Sequence, residues 1–321
     1  MEKGHEPEER RERHYDERMP RWLHRPVRAG RNLHEVDGIL RGLSLHTVCE
    51  SAKCPNRMEC YSNRTATFML LGEVCSRDCA FCSVAKGVPH EVDAEEPGRV
   101  AAAAERMELE HVVMTSVTRD DLPDGGAAHF AAVIREVKRR LPGATVEVLT
   151  PDFQGDEEAL RAVLDAEPDV FNHNLETVEE LYPGVRPRAD YHRSLGLLRA
   201  AGEIAPHVGK KSGLMVGLGE TRPQLRRLFR DLAEAGCDML TIGQYLRPSR
   251  EQLRVERFLT PHEFEELAGE AEEAGIPVVA SAPFVRSSYR ARELLHKQEI
   301  QWAAASATGL IKEEERYADH R

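Results

Sequence analysis

Short apolar or β-branched runs alternate with helical patterns along most of this 321-residue chain. Seven runs predict strands, at residues 67–71, 111–115, 145–149, 169–174, 213–217, 239–243 and 277–282. Between most of them apolar residues recur with helical spacing, as in Phe130, Val133, Ile134 and Val137. This alternation predicts an α/β fold, with helices outside a parallel sheet. Six or seven repeats fit a partial (β/α) barrel, and a doubly wound open sheet is the alternative. In either fold a ligand binds at the C-terminal ends of the strands.

Six of the seven cysteines fall between Cys49 and Cys82. The N-terminus is polar and charged, and no apolar run approaches the roughly 20 residues that span a bilayer. With an odd number of cysteines and no export signal, a secreted disulfide framework is not indicated. We therefore expect a cytoplasmic protein whose crowded thiols ligate a metal or a cluster. The net charge of −11 argues against nucleic acid as the main partner.

Cys75, Cys79 and Cys82, here called the loop triplet, form a C-x3-C-x2-C motif directly after the first predicted strand. Three thiolates on one tight loop can each take one iron of a [4Fe–4S] cube, which leaves the fourth iron without a protein ligand. That open iron can chelate the amine and carboxylate of S-adenosylmethionine, whose reductive cleavage releases a 5′-deoxyadenosyl radical. Structural zinc normally takes four ligands, so it fits this motif poorly.

Cys49, Cys54 and Cys60, here called the N-terminal triplet, have the wider spacing C-x4-C-x5-C. This spacing suits a second cluster that is also one protein ligand short. Six thiolates exceed what one cube accepts, so two separate clusters are the simpler interpretation. The remaining Cys237 stands alone at a helix-to-strand turn and is interpreted as a small buried filler.

Polar residues lie at or just after predicted strands, where a ligand would bind. They are Asn172, Asn174 and Glu176, and the pair Asp120 and Asp121. Side chains in such places are often only caps or solvated turns. In a barrel their position makes them candidate contacts of S-adenosylmethionine.

The order and spacing of these elements resemble the lipoyl synthase family of the radical S-adenosylmethionine superfamily. The resemblance runs from about residue 22 to 289 and is carried by both triplets and by residues 65–69, 115–127, 151–153, 171–177, 185–195, 211–220, 240–249 and Arg286-Ser-Ser-Tyr289. The loop triplet alone identifies only the superfamily. The N-terminal triplet and the late Arg-Ser-Ser-Tyr, here called the C-terminal motif, point to this family.

The resemblance implies a partial (β/α) TIM-type barrel with N-terminal and C-terminal extensions, and two [4Fe–4S] clusters. The loop triplet would hold the cluster that binds S-adenosylmethionine, and the N-terminal triplet would hold an auxiliary cluster. The implied fourth protein ligand of the auxiliary cluster is Ser288, which the alignment favours over Ser287. The implied reaction inserts two sulfur atoms, drawn from the auxiliary cluster, into a protein-bound octanoyl chain to give the lipoyl group.

The resemblance also implies partners. They are octanoylated lipoyl carrier proteins (the E2 lipoyl domains of 2-oxoacid dehydrogenases and the glycine cleavage H protein), a ferredoxin- or flavodoxin-type reductant and a protein that repairs the cluster, with no membrane partner. One alternative is another radical sulfur transferase, such as one resembling biotin synthase, and the N-terminal triplet argues against it. A non-enzymatic iron–sulfur carrier is a second alternative, although it would scarcely need about 240 residues after its clusters.

Four segments follow from this interpretation. Residues 1–18 form a charged tail that we expect to be disordered, 19–62 an extension with the N-terminal triplet, 63–285 the barrel, and 286–321 an extension with the C-terminal motif. Tyr61 stands where the family has tryptophan, and Arg64 stands where it has glycine. Neither residue is a ligand, so these departures concern packing and carrier fit.

Overall fold

The computed structural model of the chain describes residues 19–24, 30 and 32–307, with side chains as far as Trp302. The predicted tail, residues 1–18, and the last part of the predicted C-terminal extension, residues 308–321, lie outside the described residues.

An eight-stranded sheet with the order β1-β2-β5-β6-β7-β8-β9-β10 forms the body of the molecule, and two short strands pair separately. The strands are β1 (His46–Thr47), β2 (Thr67–Leu70), β3 (Val74–Cys75), β4 (Ala85–Lys86), β5 (His111–Ser116), β6 (Thr145–Leu149), β7 (Val170–Asn172), β8 (Gly209–Val216), β9 (Met239–Gln244) and β10 (Val278–Ser281). From β2 to β10 the neighbours in the large sheet are parallel, whereas β1 is antiparallel to β2.

Neighbouring strands follow chain order, so the strand order never reverses as it does in a doubly wound sheet. Within the described part of the chain the edge strands β1 and β10 do not pair with each other, and the barrel is therefore partial. The predicted barrel and all seven predicted strands are confirmed. Strand β8 begins at Gly209, earlier than predicted. The prediction missed its first residues because Lys210 and Lys211 are charged, although both are buried in the structure.

Helices cover the outside of the sheet and the two ends of the barrel. They are α1 (Leu33–Gly42), α2 (Val48–Ser51), α3 (Arg57–Ser62), α4 (Glu96–Arg106), α5 (Ala127–Arg140), α6 (Glu157–Leu164), α7 (Tyr182–Val185), α8 (Tyr191–Ile204), α9 (Arg222–Glu234), α10 (Pro261–Glu273) and α11 (Ala291–Ala307). In the described part of the chain, none of them is long and apolar enough to cross a bilayer.

Local sequence explains where these helices begin and which face they bury. Helix α10 begins with a capping box, in which the Thr260 N–H donates to the Glu263 carboxylate at 2.8 Å and the Glu263 N–H donates to the Thr260 hydroxyl at 3.3 Å. The predicted apolar stripe of α5 is fully buried, from Phe130 to Val137. Such stripes hold the helices against the sheet.

Helix α11 packs across the end of the barrel where the strands begin. Leu294 and Leu295 join a buried apolar cluster with Val170, Met239 and Val278, which are the first residues of β7, β9 and β10. This end of the barrel is therefore closed by apolar packing, and the ligand site must lie toward the opposite end.

Candidate active site

The loop triplet lies between two short strands at the C-terminal end of the barrel. Cys75 ends β3, and the ladder of β3 with β4 closes the loop behind it. The backbone N–H groups of Thr118 and Arg77 lie 3.3 and 3.5 Å from Cys75 Sγ. Hydrogen bonds to ligating sulfurs stabilise thiolates and tune the reduction potential of a cluster. The loop is thus suited to cluster ligation.

Arg77, inside the loop triplet, anchors this loop to two strand ends. Its guanidinium donates to both Asp120 carboxylate oxygens at 2.8 Å and to Asp152 Oδ1 at 2.6 Å. Burial by itself raises the pKa of Asp152, but the hydrogen bond and charge of Arg77 outweigh it and hold that pKa at about 2. Of the candidate contacts, Asp120 is engaged by Arg77, and Asp121 pairs with Arg119 at 2.9 Å.

The N-terminal triplet lies on two short helices outside the barrel. Cys49 is in α2 and Cys60 in α3, and the Cys54 N–H between them donates to the Cys49 carbonyl at 3.0 Å. Burial raises the pKa of the Cys49 thiol to about 11 and that of Cys82, in the loop triplet, to about 12. Such thiols stay protonated until a bound cation displaces the proton.

The C-terminal end of the barrel reaches back to the N-terminal triplet. The Tyr289 hydroxyl donates to Glu59 Oε1 at 2.9 Å, and Asn56 Nδ2 donates to the Phe284 carbonyl at 2.7 Å. Both contacts join positions that are more than 220 residues apart, and both involve residues between Cys54 and Cys60. The C-terminal motif is therefore held against the segment that carries the N-terminal triplet.

A cavity of about 520 Å³ opens between these elements. Its wall includes members of both triplets, both serines of the C-terminal motif and the polar candidates of the barrel, namely Cys49, Cys54, Cys82, Ser287, Ser288, Asn172, Asn174 and Glu176. The structure thus brings together residues that the sequence places in four separate segments.

The two serines of the C-terminal motif have different surroundings. Asn174 Nδ2 donates to Ser287 Oγ at 2.7 Å and to Glu176 Oε1 at 3.0 Å. Within the described part of the chain, no hydrogen bond holds the hydroxyl of Ser288, which also lines the cavity. Asn172 lies deeper, and its amide donates to Glu147 Oε1 at 3.2 Å.

The donor set of each triplet, three thiols, is the set that an iron–sulfur cluster takes. All seven cysteines are free thiols. Among residues 19–24, 30 and 32–307, no three histidine, cysteine or acidic side chains converge closely enough to hold one metal ion. The thiolates of an iron–sulfur cube bind different irons and need no such convergence. Cys237 is buried, with its thiol 3.2 Å from the Met239 carbonyl, as expected of a filler.

Comparison with known proteins identifies the family. Residues 69–232 match the model of the radical SAM superfamily, and residues 2–54 match that of the N-terminal domain of lipoyl synthase. The lipoyl synthase of Rubrobacter xylanophilus is 57% identical over 274 residues, which cover 85% of either chain. That of Caldanaerobacter subterraneus is 54% identical over 85% of this chain and 96% of the relative. The chain belongs to the lipoyl synthase family of radical SAM enzymes.

Solved structures agree with this fold. Methylornithine synthase superposes with a TM-score of 0.52 at 16% identity, over 84% of this chain and 91% of its own. HydG, a maturase of the [FeFe]-hydrogenase, gives 0.52 at 13% identity, over 88% of this chain and 78% of its own. At identities this low, the superpositions show only that the fold is shared.

Membership of the lipoyl synthase family confirms the predicted enzyme class. The chain is a sulfurtransferase that uses S-adenosylmethionine, a [4Fe–4S] cluster and an auxiliary cluster, and its substrate is a lipoyl carrier protein. The interpretation as a non-enzymatic iron–sulfur carrier is excluded by the same finding.

The two departures from the family pattern have structural explanations. Tyr61 is fully buried, and its hydroxyl lies 2.7 Å from Thr47 Oγ1. Arg64 has a φ of +54°, in the left-handed region that favours glycine. Its guanidinium lies 3.0 Å from Glu108 and 3.2 Å from Glu35, and these ion pairs offset part of the backbone strain.

The structure also reveals a buried charged pair that the sequence prediction missed. Lys211 Nζ donates to both carboxylate oxygens of Glu147, at 2.7 and 2.9 Å, inside the barrel. Glu147 in the middle of the predicted strand 145–149 was the available signal, since an inward-facing charge in a parallel strand needs a partner, whereas Lys211 lies just before the predicted strand 213–217.

Proposed function

We propose that this chain converts an octanoyl group, attached to a lysine of a carrier domain, to the lipoyl group. In this proposal the loop triplet holds the cluster that binds S-adenosylmethionine, and the N-terminal triplet holds the auxiliary cluster with Ser288 as fourth ligand. The observation that carries the proposal is a cavity whose wall includes members of both triplets, Ser288 and an aliphatic surface. A radical source, a sulfur source and an acyl chain must meet within one enclosed space.

The chemistry explains why this cavity needs no general base. When bound, S-adenosylmethionine and its cluster supply the radical that removes a hydrogen atom from an unactivated carbon, and the auxiliary cluster supplies sulfur. The chain's own residues then have to orient the acyl chain and exclude water. Val113, Leu149 and Leu214 give the cavity an apolar wall, and Met19 and Leu23 line it from the N-terminal side.

The hydrogen bonds of the cavity support a division of roles among its polar residues. Ser287 is engaged by Asn174, which favours Ser288 as the residue available to iron. Serine oxygen is a harder ligand than thiolate and would leave iron more readily, which suits a cluster that gives up its sulfur. Asn174 and Glu176 line the same cavity and are proposed contacts of S-adenosylmethionine, whereas Asn172 donates to Glu147 below them.

The remaining partners follow from what the reaction consumes. Reductive cleavage of S-adenosylmethionine needs single electrons, so we include a ferredoxin- or flavodoxin-type donor. A sacrificed cluster must be rebuilt, so a cluster-repair protein is included as well. The carriers are E2 lipoyl domains of 2-oxoacid dehydrogenases and the glycine cleavage H protein. Free thiols throughout suit a reducing compartment, and we place the reaction in the cytoplasm.

An anaerobic assay tests this proposal. The reconstituted chain, supplied with S-adenosylmethionine, dithionite and an octanoyl-lysyl peptide, should yield a peptide in which two sulfur atoms replace two hydrogen atoms. Mass spectrometry would detect this product and the 5′-deoxyadenosine formed with it. A lysyl peptide without the acyl chain serves as the control. Formation of 5′-deoxyadenosine without any sulfur-containing peptide would contradict the proposed function.

A further inference from the structure

Between strand β2 and the loop triplet the chain makes a turn that leucine does not favour. Leu71 has a φ of +65° and Gly72 a φ of +90°, both in the left-handed region. Glycine adopts that region freely, whereas a leucine there needs contacts that hold it. Leu71 is buried, so these contacts come from the protein and not from water.

The turn decides where Cys75 lies. Continued without a break, the parallel ladder of β2 with β5 would bring Gly72 opposite Thr118. Instead the Ser76 N–H donates to the Thr118 carbonyl at 3.0 Å, and the Thr118 N–H lies 3.3 Å from Cys75 Sγ. The turn therefore takes up the additional residues and places the first cysteine of the loop triplet beside the end of β5.

A buried carboxylate holds this turn by its backbone. The Leu71 N–H donates to Glu96 Oε2 at 2.9 Å, and His129 Nε2 lies 2.6 Å from the same oxygen. Glu96 begins helix α4, His129 lies in the first turn of α5, and both side chains are buried. The N-terminus of a helix favours a carboxylate, and the contact with His129 fixes the direction in which that carboxylate points.

The side chain of Leu71 is held as well. A Cβ atom on Gly126 would lie 2.4 Å from Leu71 Cδ1, so only glycine leaves room for this leucine. Gly126 has a φ of +91° and directly precedes α5. Leu71 is therefore fixed on two sides, by the first residue of α4 and by the residue before α5.

We propose that Glu96 is a positioning residue of the radical site, which holds Leu71 in the left-handed turn and thereby fixes the place of Cys75 in the loop triplet. The inference rests on the proposed function, because it takes the loop triplet as the ligands of the cluster that binds S-adenosylmethionine. Arg77 fixes the middle of the loop through its ion pairs, and Glu96 fixes the entrance to the loop. This contact involves no residue of the N-terminal triplet, whose cluster should not depend on Glu96.

Substitutions of Glu96 separate the hydrogen bond from the charge. Both contacts of Glu96 reach one oxygen, so the amide oxygen of Glu96→Gln can accept them, whereas Glu96→Ala accepts neither. Glu96→Asp keeps the charge but withdraws it from the Leu71 N–H, because the side chain is shorter.

The opposite end of the barrel offers a matched control. Asp238 Oδ2 accepts from the Lys210 N–H at 2.8 Å and lies 2.9 Å from Lys210 Nζ. This carboxylate, like that of Glu96, uses one oxygen for a backbone N–H and a side-chain nitrogen. It lies where β8 and β9 begin, away from the loop triplet. Asp238→Ala therefore removes an equivalent contact without touching the turn.

The rate at which the loop triplet loses its cluster tests this role. Each substitution is made in the chain whose Cys49, Cys54 and Cys60 are alanine, so that absorbance during chelation follows the loop-triplet cluster alone. Glu96→Ala should accelerate the loss by about tenfold or more, as expected when a hydrogen bond to a charged group is removed. Glu96→Asp should accelerate it less, and Glu96→Gln and Asp238→Ala should stay within about threefold of the parent chain.

Hydrogen exchange adds a measurement that needs no cluster. In the metal-free chain with all its cysteines, Glu96→Ala should accelerate exchange in peptides that cover residues 70–76 and leave residues 209–216 unchanged. Asp238→Ala should do the reverse, since its carboxylate accepts from the Lys210 N–H. A merely structural role of Glu96 would accelerate exchange in both segments. If circular dichroism shows that Glu96→Ala does not fold, Glu96→Asp takes its place in both measurements.

The outcomes separate this inference from the proposed function. An unchanged rate of cluster loss in Glu96→Ala would overturn the inference, as would equal acceleration in Asp238→Ala or in Glu96→Gln. If the parent chain, with the loop triplet alone, binds no cluster, the assignment of the loop triplet fails and the proposed function fails with it. Exchange then decides on the turn: unchanged exchange of residues 70–76 in Glu96→Ala would overturn the inference as well, and selective acceleration there would support it.

Discussion

The two cysteine triplets are held in opposite ways. The loop triplet is fixed to the barrel by two sets of contacts. Strands β3 and β4 pair beside it, and the buried Arg77 forms ion pairs with Asp120 and Asp152. The N-terminal triplet lies on and between helices of four and six residues, which are too short to be stable alone, and the second helix is joined to the C-terminal motif by the hydrogen bond from Tyr289 to Glu59. A fixed site suits a cluster that is reused at every turnover. A site closed by a separate segment suits one that is taken apart and rebuilt.

The largest effect that this comparison predicts comes from the loop triplet. Replacing Cys75, Cys79 and Cys82 with alanine should remove one [4Fe–4S] cluster and abolish formation of 5′-deoxyadenosine. The N-terminal triplet should still bind its own cluster, because its site lies outside the barrel. Iron and sulfide analysis together with chromatography of 5′-deoxyadenosine would check this. Persistent cleavage of S-adenosylmethionine would show that the loop triplet has been assigned wrongly.

Next in size is the effect of removing the anchor of the loop triplet. Arg77→Met leaves Asp120 and Asp152 without their buried partner and should lower the free energy of unfolding by about 3–5 kcal/mol. The surface pair of Arg139 and Glu136 offers the control, since Arg139→Met should leave the free energy of unfolding nearly unchanged. Denaturant titration would measure both. Equal free energies of unfolding for the two variants would mean that Arg77 does not anchor the loop triplet, and the proposed difference between the two triplets would fail.

The pKa of Asp152 gives the same contact a dependence on pH. The pKa is depressed in the folded state, so the stabilisation is present above the unfolded value of about 3.9 and is lost as the pH falls through about 2. Arg77→Met should therefore remove stability at neutral pH and flatten this acid-side dependence between about pH 4 and 2.

The serines should affect sulfur transfer without affecting radical formation. Ser288→Ala removes the proposed ligand and little volume, so global stability should change by less than about 1 kcal/mol while lipoyl product is lost. Ser287→Ala, which removes only the acceptor of Asn174, is the matched control. Single-turnover assays would compare product with 5′-deoxyadenosine. Loss of product in the Ser287 variant alone would reverse the choice between the serines, and full activity in both would end the serine-ligand hypothesis.

A smaller effect is expected where the C-terminal motif meets the N-terminal triplet. Tyr289→Phe deletes the hydroxyl that donates to Glu59 and should weaken the contact between the C-terminal motif and the N-terminal triplet by about 1 kcal/mol. The auxiliary cluster should be lost faster in the presence of a chelator, whereas the cluster of the loop triplet should keep its rate of loss. Optical absorption during chelation would follow both. A uniform acceleration would mean that Tyr289 supports the whole fold and not this junction.

The sequence predicted the parts of this site that depend on neighbouring residues. Strand–helix periodicity was sufficient for a parallel sheet with helices outside it, although it left a partial barrel and a doubly wound sheet open, and the spacing of Cys75, Cys79 and Cys82 predicts a cluster loop, because both are local patterns. The pairing of Arg77 with Asp152 and of Glu147 with Lys211 joins residues 75 and 64 positions apart. Such contacts depend on strand order and register, which the local pattern does not determine.

The most direct test of the division between the two triplets is the complementary triple variant. With Cys49, Cys54 and Cys60 replaced by alanine, the chain should still cleave S-adenosylmethionine to 5′-deoxyadenosine but form no lipoyl group on an octanoyl-lysyl peptide. Mass spectrometry of the peptide and chromatography of the nucleoside in one anaerobic reaction would measure both. Full sulfur insertion by this variant would contradict the account, because the sulfur would then have come from elsewhere.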